Sequence, residues 1–429
     1  MSILQTLNTG ATGLQSNGEA LGVVSDNIAN ANTIGFKRSR ADFQDMVATA
    51  SKSQTSQVGG GSTVKKIQSM WSQGAMLSTG SSTDLALSGD GFFVVNGTAS
   101  GVTGNFYTRA GQFNLDKNGY VTNVDGLKLQ GYPADGHGQI MGTLGDLRVG
   151  PTALPATPTS TVKLGVNLDS TTAVPSAPFD PVNPATTSNF SGPVTLYDSL
   201  GKAHQATVYF AKTADGAFDW HATVDGGNIT GGTKGTPFEG ANGSLTFGTN
   251  GELLSSTTAS STWNFAGATQ GQAVAFDFGT SVAAGGTGLD GTTSNASSSN
   301  VSATTQDGFA AGAVTGVSVS ATGVVTGSFT NGQRRTLGQV AVANFKSDDG
   351  LQRASQGLYA QTDASGEALM GTASTGGRGA IASGSLEQSN VDMGAEFVDL
   401  ISFQRGFSAN AKVIQTADQM YGELVDLKR

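Results

Sequence analysis

Residues 393–424 read MGAEFVDLISFQRGFSANAKVIQTADQMYGEL, and their apolar residues recur in heptads. One row of the repeat consists of Met393, Leu400, Phe407, Ile414 and Tyr421, and beside it lie Phe397, Phe403, Ala411, Ala417 and Leu424. A seven-residue apolar repeat predicts a helix with one narrow seam, as in a coiled coil. Asn390 precedes this helix, and we predict that it is the N-cap.

The N-terminal segment has a related pattern. Its apolar residues recur at spacings of three, four or seven: Leu4, Leu7, Ala11, Leu14, Leu21 and Ile28. This periodicity predicts a helix over residues 3–30, about 40 Å long at about 1.5 Å per residue. A narrow stripe on a lone helix buries too little to offset the ordering entropy. The two terminal segments therefore pack against each other or against other copies of the chain, and periodicity leaves both open.

The middle of the chain is typical of β structure. The sequence contains 62 glycines among 429 residues and only 13% charged residues, a composition that suits short strands and tight turns. Alternating apolar residues over 92–95 and 105–109, and a Lys117-Asn118-Gly119 turn, predict one small β domain. Residues 287–300 are almost entirely Gly, Ser, Thr and Asn, and we expect this tract to lie outside any core and to end a second β domain.

The predicted fold class is therefore multidomain and mainly β, with two Gly-rich β domains in the middle of the chain and coiled-coil-like terminal helices forming an inner domain. The predicted divisions are 1–30 with 391–429 for the terminal helices, 31–74 with 375–390 for a connecting region, 75–149 with 301–374 for an inner β domain, and 150–300 for an inserted outer β domain.

Composition and motifs exclude several function classes. The net charge of −9 is unfavourable for binding nucleic acid. The chain has no cysteine and three separated histidines, so no metal, cofactor or catalytic constellation is predicted. No apolar run reaches the length of a membrane span, so no direct membrane insertion is expected. The N-terminus lacks the basic and apolar regions of a cleaved signal peptide, which indicates a cytosolic protein or another export route.

One motif carries a family resemblance. Residues 27–37, NIANANTIGFK, combine Asn and Gly in the manner of a defined helix end, because both residues tolerate the left-handed conformation. The segment resembles the signature of the axial proteins that form the rod and hook of the bacterial flagellum. The residues that match the signature are Asn27, Ile28, Ala29, Asn30, Thr33, Gly35, Phe36 and Lys37.

Three further segments are similar to this family and occur in its order: LSGDGFFV at 87–94, YTRAGQF at 107–113 and LEQSNVD at 386–392. The resemblance implies a structural, non-enzymatic subunit whose terminal helices line a tube while the β domains stack outward. The inserted residues 150–300 resemble the arrangement of the hook subunit and not that of the shorter distal rod protein. Hook function in the family is that of a universal joint, a curved tube that transmits torque to the filament.

The resemblance also implies partners and location. The expected partners are further copies of the chain in a helical polymer, the distal rod protein, the hook cap, the hook-length control protein and the hook-filament junction protein. The expected location is the extracellular hook, reached through the flagellar type III export apparatus. The subunit interface implied for the first helix consists of Leu4, Leu7, Ala11, Leu14, Leu21 and Ile28, and that of the second consists of Met393, Phe397, Leu400, Phe407, Ile414, Tyr421 and Leu424.

Three other interpretations stay open at this point. The chain resembles a distal rod protein with an unusual insertion, which would form a straight polymer. Composition alone also fits a β-rich phage-tail or adhesin-like module, which would bind a ligand and form no tube. A glycan-acting enzyme would need a carboxylate pair, and none stands apart from the many turn aspartates.

Overall fold

A computed structural model describes residues 3–47, 59–99, 101–150 and 153–426. The chain divides into two compact units. The first comprises Met1–Thr152, Thr315–Ser328 and Arg334–Arg429, and the second comprises Ala153–Val314 and Phe329–Gln333. The second unit is therefore an insertion between two parts of the first.

Within the described residues, the helices are α1 (Ile3–Ala29), α2 (Pro184–Thr187) and α3 (Met393–Asp426). The first strands are β1 (Ser39–Val47), β2 (Gly59–Ser69), β3 (Met76–Ser78), β4 (Leu85–Ser88), β5 (Phe92–Ala99), β6 (Val102–Thr108), β7 (Asn114–Leu115), β8 (Val121–Thr122), β9 (Lys128–Pro133) and β10 (Gly145–Asp146). Then follow β11 (Thr161–Asn167), β12 (Phe190–Tyr197), β13 (Ala203–Ala214), β14 (Ala217–Asp225), β15 (Pro237–Phe247), β16 (Leu253–Trp263), β17 (Gln272–Ala273), β18 (Ala275–Asp277) and β19 (Asn300–Gln306). The last strands are β20 (Val314–Val319), β21 (Val324–Phe329), β22 (Arg334–Asn344), β23 (Gln352–Arg353), β24 (Leu358–Ala360), β25 (Leu369–Thr372), β26 (Ala380–Ser383) and β27 (Ser385–Glu387).

The first unit joins a helical part to a sheet. Helices α1 and α3 pack together, and the antiparallel pair β1–β2 lies against α1, where Ser16 Oγ and Ser62 Oγ are 2.9 Å apart. The sheet has the strand order β20-β21-β22-β9-β5-β6-β24-β23, so it combines strands from before and after the insertion. Its core contains Phe93, Phe113 and Leu129, which are essentially inaccessible to solvent. Because both parts of the chain contribute strands, the insertion leaves this core intact.

The second unit has its own core. A six-stranded antiparallel sheet runs β12-β13-β14-β15-β16-β17, and a smaller sheet runs β18-β11-β19. Alternate residues of these strands point inward, as the buried-exposed alternation of β12 and β13 shows. Trp220, Trp263 and Phe210 are fully buried in the core. Large aromatic side chains contribute most of the apolar area here.

The structure confirms the predicted fold class, mainly β with terminal helices that pack together. The tract 287–300 differs from its expectation, because Thr292 is fully buried and its hydroxyl donates to Leu164 O at 2.8 Å. A buried hydroxyl is tolerated when it is hydrogen-bonded. Strand β19 then pairs with β11, so the second unit continues to residue 314, beyond the predicted boundary at residue 300.

The expected N-cap is also different. Helix α3 begins at Met393, and the carboxylate of Asp392 accepts hydrogen bonds from the amides of Gly394 and Ala395 at 2.8 and 3.2 Å. Asp392 is therefore the cap. Asn390 lies too early in the chain for this role, and its side chain is used elsewhere in the first unit.

Candidate functional site

The two terminal helices approach closely because small residues lie where they meet. A Cβ atom placed on Gly10 would lie 3.0 Å from Ile414 Cγ1, and one on Gly406 would lie 2.7 Å from Asn17 Oδ1. Further along, Asn27 Nδ2 donates to Glu396 Oε2 at 3.1 Å. Early residues of α1 thus face late residues of α3, and the pair is antiparallel. Glycine at these positions lets the backbones come together.

The predicted seam of α1 is not the face that is most buried. The fully buried residues are Gly10, Gly13, Ser16, Ala20, Val23, Val24 and Asn27. Leu7, Leu14, Leu21 and Ile28 are half-buried, Ala11 is exposed, and Leu4 is 65% exposed. The larger apolar residues therefore lie beside the packed face and keep accessible surface.

Helix α3 leaves more apolar surface open. Of its predicted seam, Leu400, Phe407 and Ile414 are half-buried, whereas Met393, Phe397 and Tyr421 are exposed. The side chain of Leu424 lies outside those that the structure describes. Exposed large apolar side chains grouped on one element mark an interaction surface.

A buried charge cluster joins the helical part to the sheet. Lys37 Nζ donates to Glu387 Oε1 at 2.6 Å, and both side chains are completely buried. Arg109 Nη1 lies 3.4 Å from Glu387 Oε2, and the guanidinium also donates to Gly89 O. Lys37 Nζ further donates to Ser72 O at 2.8 Å. Glu387 therefore links chain segments that are far apart in the sequence.

The electrostatics of this cluster reflect its burial. Removal from water lowers the pKa of Lys37, and the hydrogen bond and charge of Glu387 oppose that change. A buried ion pair is costly to desolvate, but loss of one partner leaves the other charge uncompensated. The cluster therefore strongly favours the arrangement in which the segments that carry Lys37, Arg109 and Glu387 meet.

The residues before Lys37 make further connections. The amide side chain of Asn27 accepts from Ser39 N and donates to Ser39 O, both at 2.8 Å, as a neighbouring strand would. Gly35 has φ +69°, and its amide donates to Glu387 O at 2.8 Å. A Cβ atom on Gly35 would lie only 2.5 Å from Ala110 N. This position therefore requires glycine for both conformation and space.

Asn390 connects the segment before α3 to the segments that follow α1 and β2. Its Oδ1 accepts from Arg38 N at 2.7 Å, and its Nδ2 donates to Met70 O at 2.8 Å. Arg38 Nε also lies 3.5 Å from Glu396 Oε1. The first turn of α3 is thus tied to the segment that leaves α1.

The structure brings together part of the predicted signature. Asn27, Gly35 and Lys37 are buried at the junction, whereas Ile28, Asn30 and Phe36 are half-buried and Ala29 and Thr33 are exposed. The sequence pattern assigns no role to Arg109, Glu387 or Glu396, and it assigns Asn390 the role of N-cap, which the structure gives to Asp392. The signal for Arg109 and Glu387 is their position inside the matching segments 107–113 and 386–392 of a chain with few charges.

Among the described side chains, no group of three or more His, Cys, Asp or Glu is arranged to hold a metal ion. No helix in the described ranges has the length and apolar character needed to cross a membrane.

Comparison with known families covers most of the chain. Residues 7–37 match the family described as flagella basal body rod protein, and residues 86–169 match flagellar hook protein FlgE/F/G D1 domain. Residues 167–309 match flagellar basal body protein FlaE D2 domain, and residues 382–427 match flagellar basal body rod FlgEFG protein C-terminal. The segments that contribute Lys37, Arg109 and Glu387 fall in the first, second and last of these matches.

Individual relatives agree over the full length. The chain is 36% identical over 421 residues to flagellar hook protein FlgE of Salmonella typhimurium, covering 97% of this chain and 98% of the relative. It is 35% identical to flagellar hook protein FlgE of Borreliella burgdorferi, covering 99% and 100%. The crystal structure of Helicobacter pylori flagellar hook protein FlgE2 aligns with a TM-score of 0.48 at 14% identity, covering 71% of this chain and 98% of that one. The full-length sequence similarity shows that this chain belongs to the flagellar hook protein FlgE family.

Proposed function

We propose that the chain is the structural subunit of a flagellar hook and polymerises through its terminal helices into a curved, flexible tube. The observation that carries the proposal is the exposed apolar face of α3, with Phe397 at 49% and Tyr421 at 53% exposure, in a chain of this family. Burial against neighbouring copies would remove this surface from water. The comparisons support the hook and neither the rod nor the adhesin-like alternative.

The subunit interface is proposed to include the predicted residues on both helices. In α1 these are Leu4, Leu7, Ala11, Leu14, Leu21 and Ile28, which keep accessible surface after α3 has packed. In α3 they are Met393, Phe397, Leu400, Phe407, Ile414 and Tyr421, together with Leu424. The role proposed for the chain is structural and not enzymatic.

The proposed mechanical role is a universal joint between the rod and the filament. In this proposal the terminal helices hold the tube, and the second units of neighbouring copies slide past one another through shallow polar contacts as the tube bends. The Ser- and Thr-rich exposed surface of strand β16 supports this, because such surfaces form wet interfaces. The proposed neighbours are the distal rod protein, the hook cap, the hook-length control protein and the hook-filament junction protein.

Export is proposed to proceed through the flagellar type III apparatus as an unfolded chain. Terminal helices that become fully protected only in the polymer would keep monomers apart before export. Hydrogen exchange on the monomer tests this: rapid exchange of the amides in residues 3–28 is expected. Strong protection of those amides before polymerisation would contradict the idea.

The central experiment is imaging of the purified chain under polymerising conditions. The full chain is expected to form curved tubes, and a chain ending at residue 392 is expected to remain monomeric, because α3 supplies half of the helix pair. A matched control is Leu200→Ser, which changes an exposed apolar residue of the second unit. Tubes formed without α3, or straight rods from the full chain, would overturn the proposal.

A further inference from the structure

The side of α3 that faces away from α1 carries a mixed apolar and basic ridge. It consists of Val398, Ile401, Arg405 and Lys412, and all four residues are exposed. At about 100° per residue, they lie on the helix face opposite Gly406 and Ile414, which meet α1. Within the described part of the chain, neither Arg405 nor Lys412 pairs with an acidic side chain. We call this surface the basic ridge, and it belongs to no predicted seam.

A groove of about 600 Å³ lies on the first unit beside α1. Its acidic lining comes from Glu19, Asp26, Asp348 and Asp349. Its apolar lining comes from Val23, Ile67, Trp71 and Leu351, and Ile67 is 55% exposed. The cation that also lines it, Arg353, lies 3.6 Å from Asp26 Oδ2, so acidic charge remains in excess. We call this surface the acidic groove.

We propose that the basic ridge of one copy docks in the acidic groove of the adjacent copy in the polymer. The inference rests on the proposed function, since it assigns a specific lateral contact within that tube. Arg405 would meet the carboxylates, while Ile401 would meet Ile67 and Leu351. Charge complementarity of this kind fixes register and suppresses wrong contacts.

The positions of the two surfaces fit a tube. Glu19 and Asp26 lie on the face of α1 opposite Gly10 and Asn17, which meet α3. The ridge and the groove therefore occupy opposite sides of the helix pair. A contact between two different surfaces on opposite sides is heterologous, and such contacts generate rings or helical filaments and not closed dimers.

The two surfaces also lie at the same height. Asn17 is level with Gly406 and Asn27 is level with Glu396, as their close contacts show. Glu19 and Asp26 fall between these levels on α1, and Ile401 and Arg405 fall between them on α3. In two copies that lie side by side at the same height, the basic ridge of one copy therefore faces the acidic groove of the other. Burial raises the pKa of Asp348, and an arriving cation would offset the cost of its charge.

The test is a charge exchange in the full chain. The variants are Arg405→Glu, Glu19→Arg and the double variant, and polymerisation is measured as the critical concentration by sedimentation. Each single variant is expected to raise the critical concentration about tenfold, because it places like charges together. The double variant is expected to recover most of the loss. Lys117→Glu, in an exposed turn of the first unit, is the matched control and should leave assembly unchanged.

The outcomes separate this inference from the proposed function. If the unmodified chain forms no tube, the proposed function fails. If the unmodified chain forms tubes and Arg405→Glu assembles equally well, the ridge is not a contact and the inference is overturned. Single variants that both fail without recovery in the double variant would also overturn the pairing, provided that thermal unfolding shows folded monomers. Higher salt should reduce the difference between the variants and the unmodified chain.

Discussion

The two units bury charged side chains in different ways, because the Lys37–Glu387 pair of the first unit joins residues 350 apart, whereas the buried His204–Asp198 pair of the second joins residues 6 apart. The second unit buries Trp220 and Trp263 completely, and its Lys163–Asp277 pair stays at the surface with side chains 69% and 41% exposed. The first unit buries Lys37 and Glu387 completely and leaves Phe397 and Tyr421 open. The second unit thus completes its own core. The first also holds distant segments together with interior charge and leaves apolar side chains of α3 accessible to solvent.

Deletion of the second unit is the strongest test of this division. Replacement of residues 153–314 by a short Gly-Ser linker removes one complete core and leaves the helix pair and its sheet. The expected product is a tube with altered supercoil, because the helices that hold the tube remain. Electron microscopy measures the curvature. An unchanged supercoil would contradict the proposed sliding role of the second unit. Loss of the tube would contradict the proposal that the terminal helices hold the tube without the second unit.

Removal of one partner of the buried cluster is expected to have the next largest effect. Glu387→Ala leaves Lys37 and Arg109 buried without their carboxylate, which costs about 3–5 kcal/mol in unfolding free energy. Denaturant-dependent hydrogen exchange, read separately on peptides of each unit, should place this loss in the first unit.

The matched control for that substitution is Lys163→Ala, which breaks the exposed ion pair of the second unit at 3.5 Å and keeps the hydrogen bond from Gly279 N to Asp277. An exposed pair contributes about 1 kcal/mol or less. Equal losses of unfolding free energy in the two variants would show that burial does not make the Lys37–Glu387 pair more important for stability than an exposed pair.

A glycine at the junction offers a test that does not involve charge. Gly35→Ala would bring a methyl group within 2.5 Å of Ala110 N at φ +69°. The conformation alone costs about 1–2 kcal/mol, and the steric contact with a main-chain atom adds to it. We expect a loss of more than about 2 kcal/mol in the unfolding free energy, measured by urea denaturation.

Gly126→Ala is its control, because Gly126 has φ +82° with open space around the added atom. Its loss should stay at about 1–2 kcal/mol. A smaller loss of unfolding free energy for Gly35→Ala than for Gly126→Ala would show that the backbone around Gly35 moves easily to accept the methyl group. The junction would then not hold the helices in place.

The sequence predicted the helices well because their pattern is local. The heptad row from Met393 to Tyr421 lies within α3, and residues 3–30 nearly coincide with α1. The residues Asn118 and Gly119, which favour tight turns, also identified the turn that joins β7 and β8. The apolar periodicity could not predict which face of α1 packs against α3. That face is set by the glycines of α1 and α3, which let the two backbones approach.

Other elements carry little local signal. The residue pattern predicts no strand in 237–263, where β15 and β16 lie. Strand β16 contains SSTTASST and is mostly exposed, so its main-chain pairing with β15 defines it and not an apolar alternation. The buried charge cluster could not be predicted from the sequence for a different reason. Lys37 and Glu387 are 350 residues apart, and no spacing rule reports a contact that only the tertiary fold creates.

The smallest expected effect concerns acid stability of the second unit. Hydrogen bonds from the amides of Gly227 and Gly235 lower the pKa of Asp225 below its ordinary value of 3.8. Because the native pKa is below the unfolded one, this carboxylate stabilises the fold above pH about 4, and its contribution is lost as the pH falls through the native pKa. Asp225→Asn keeps an oxygen acceptor but cannot titrate. The variant should therefore be slightly less stable than the unmodified chain at pH 7 and equally stable near pH 2, as measured by thermal unfolding. A constant difference at both pH values would assign the effect of Asp225 to geometry and not to charge.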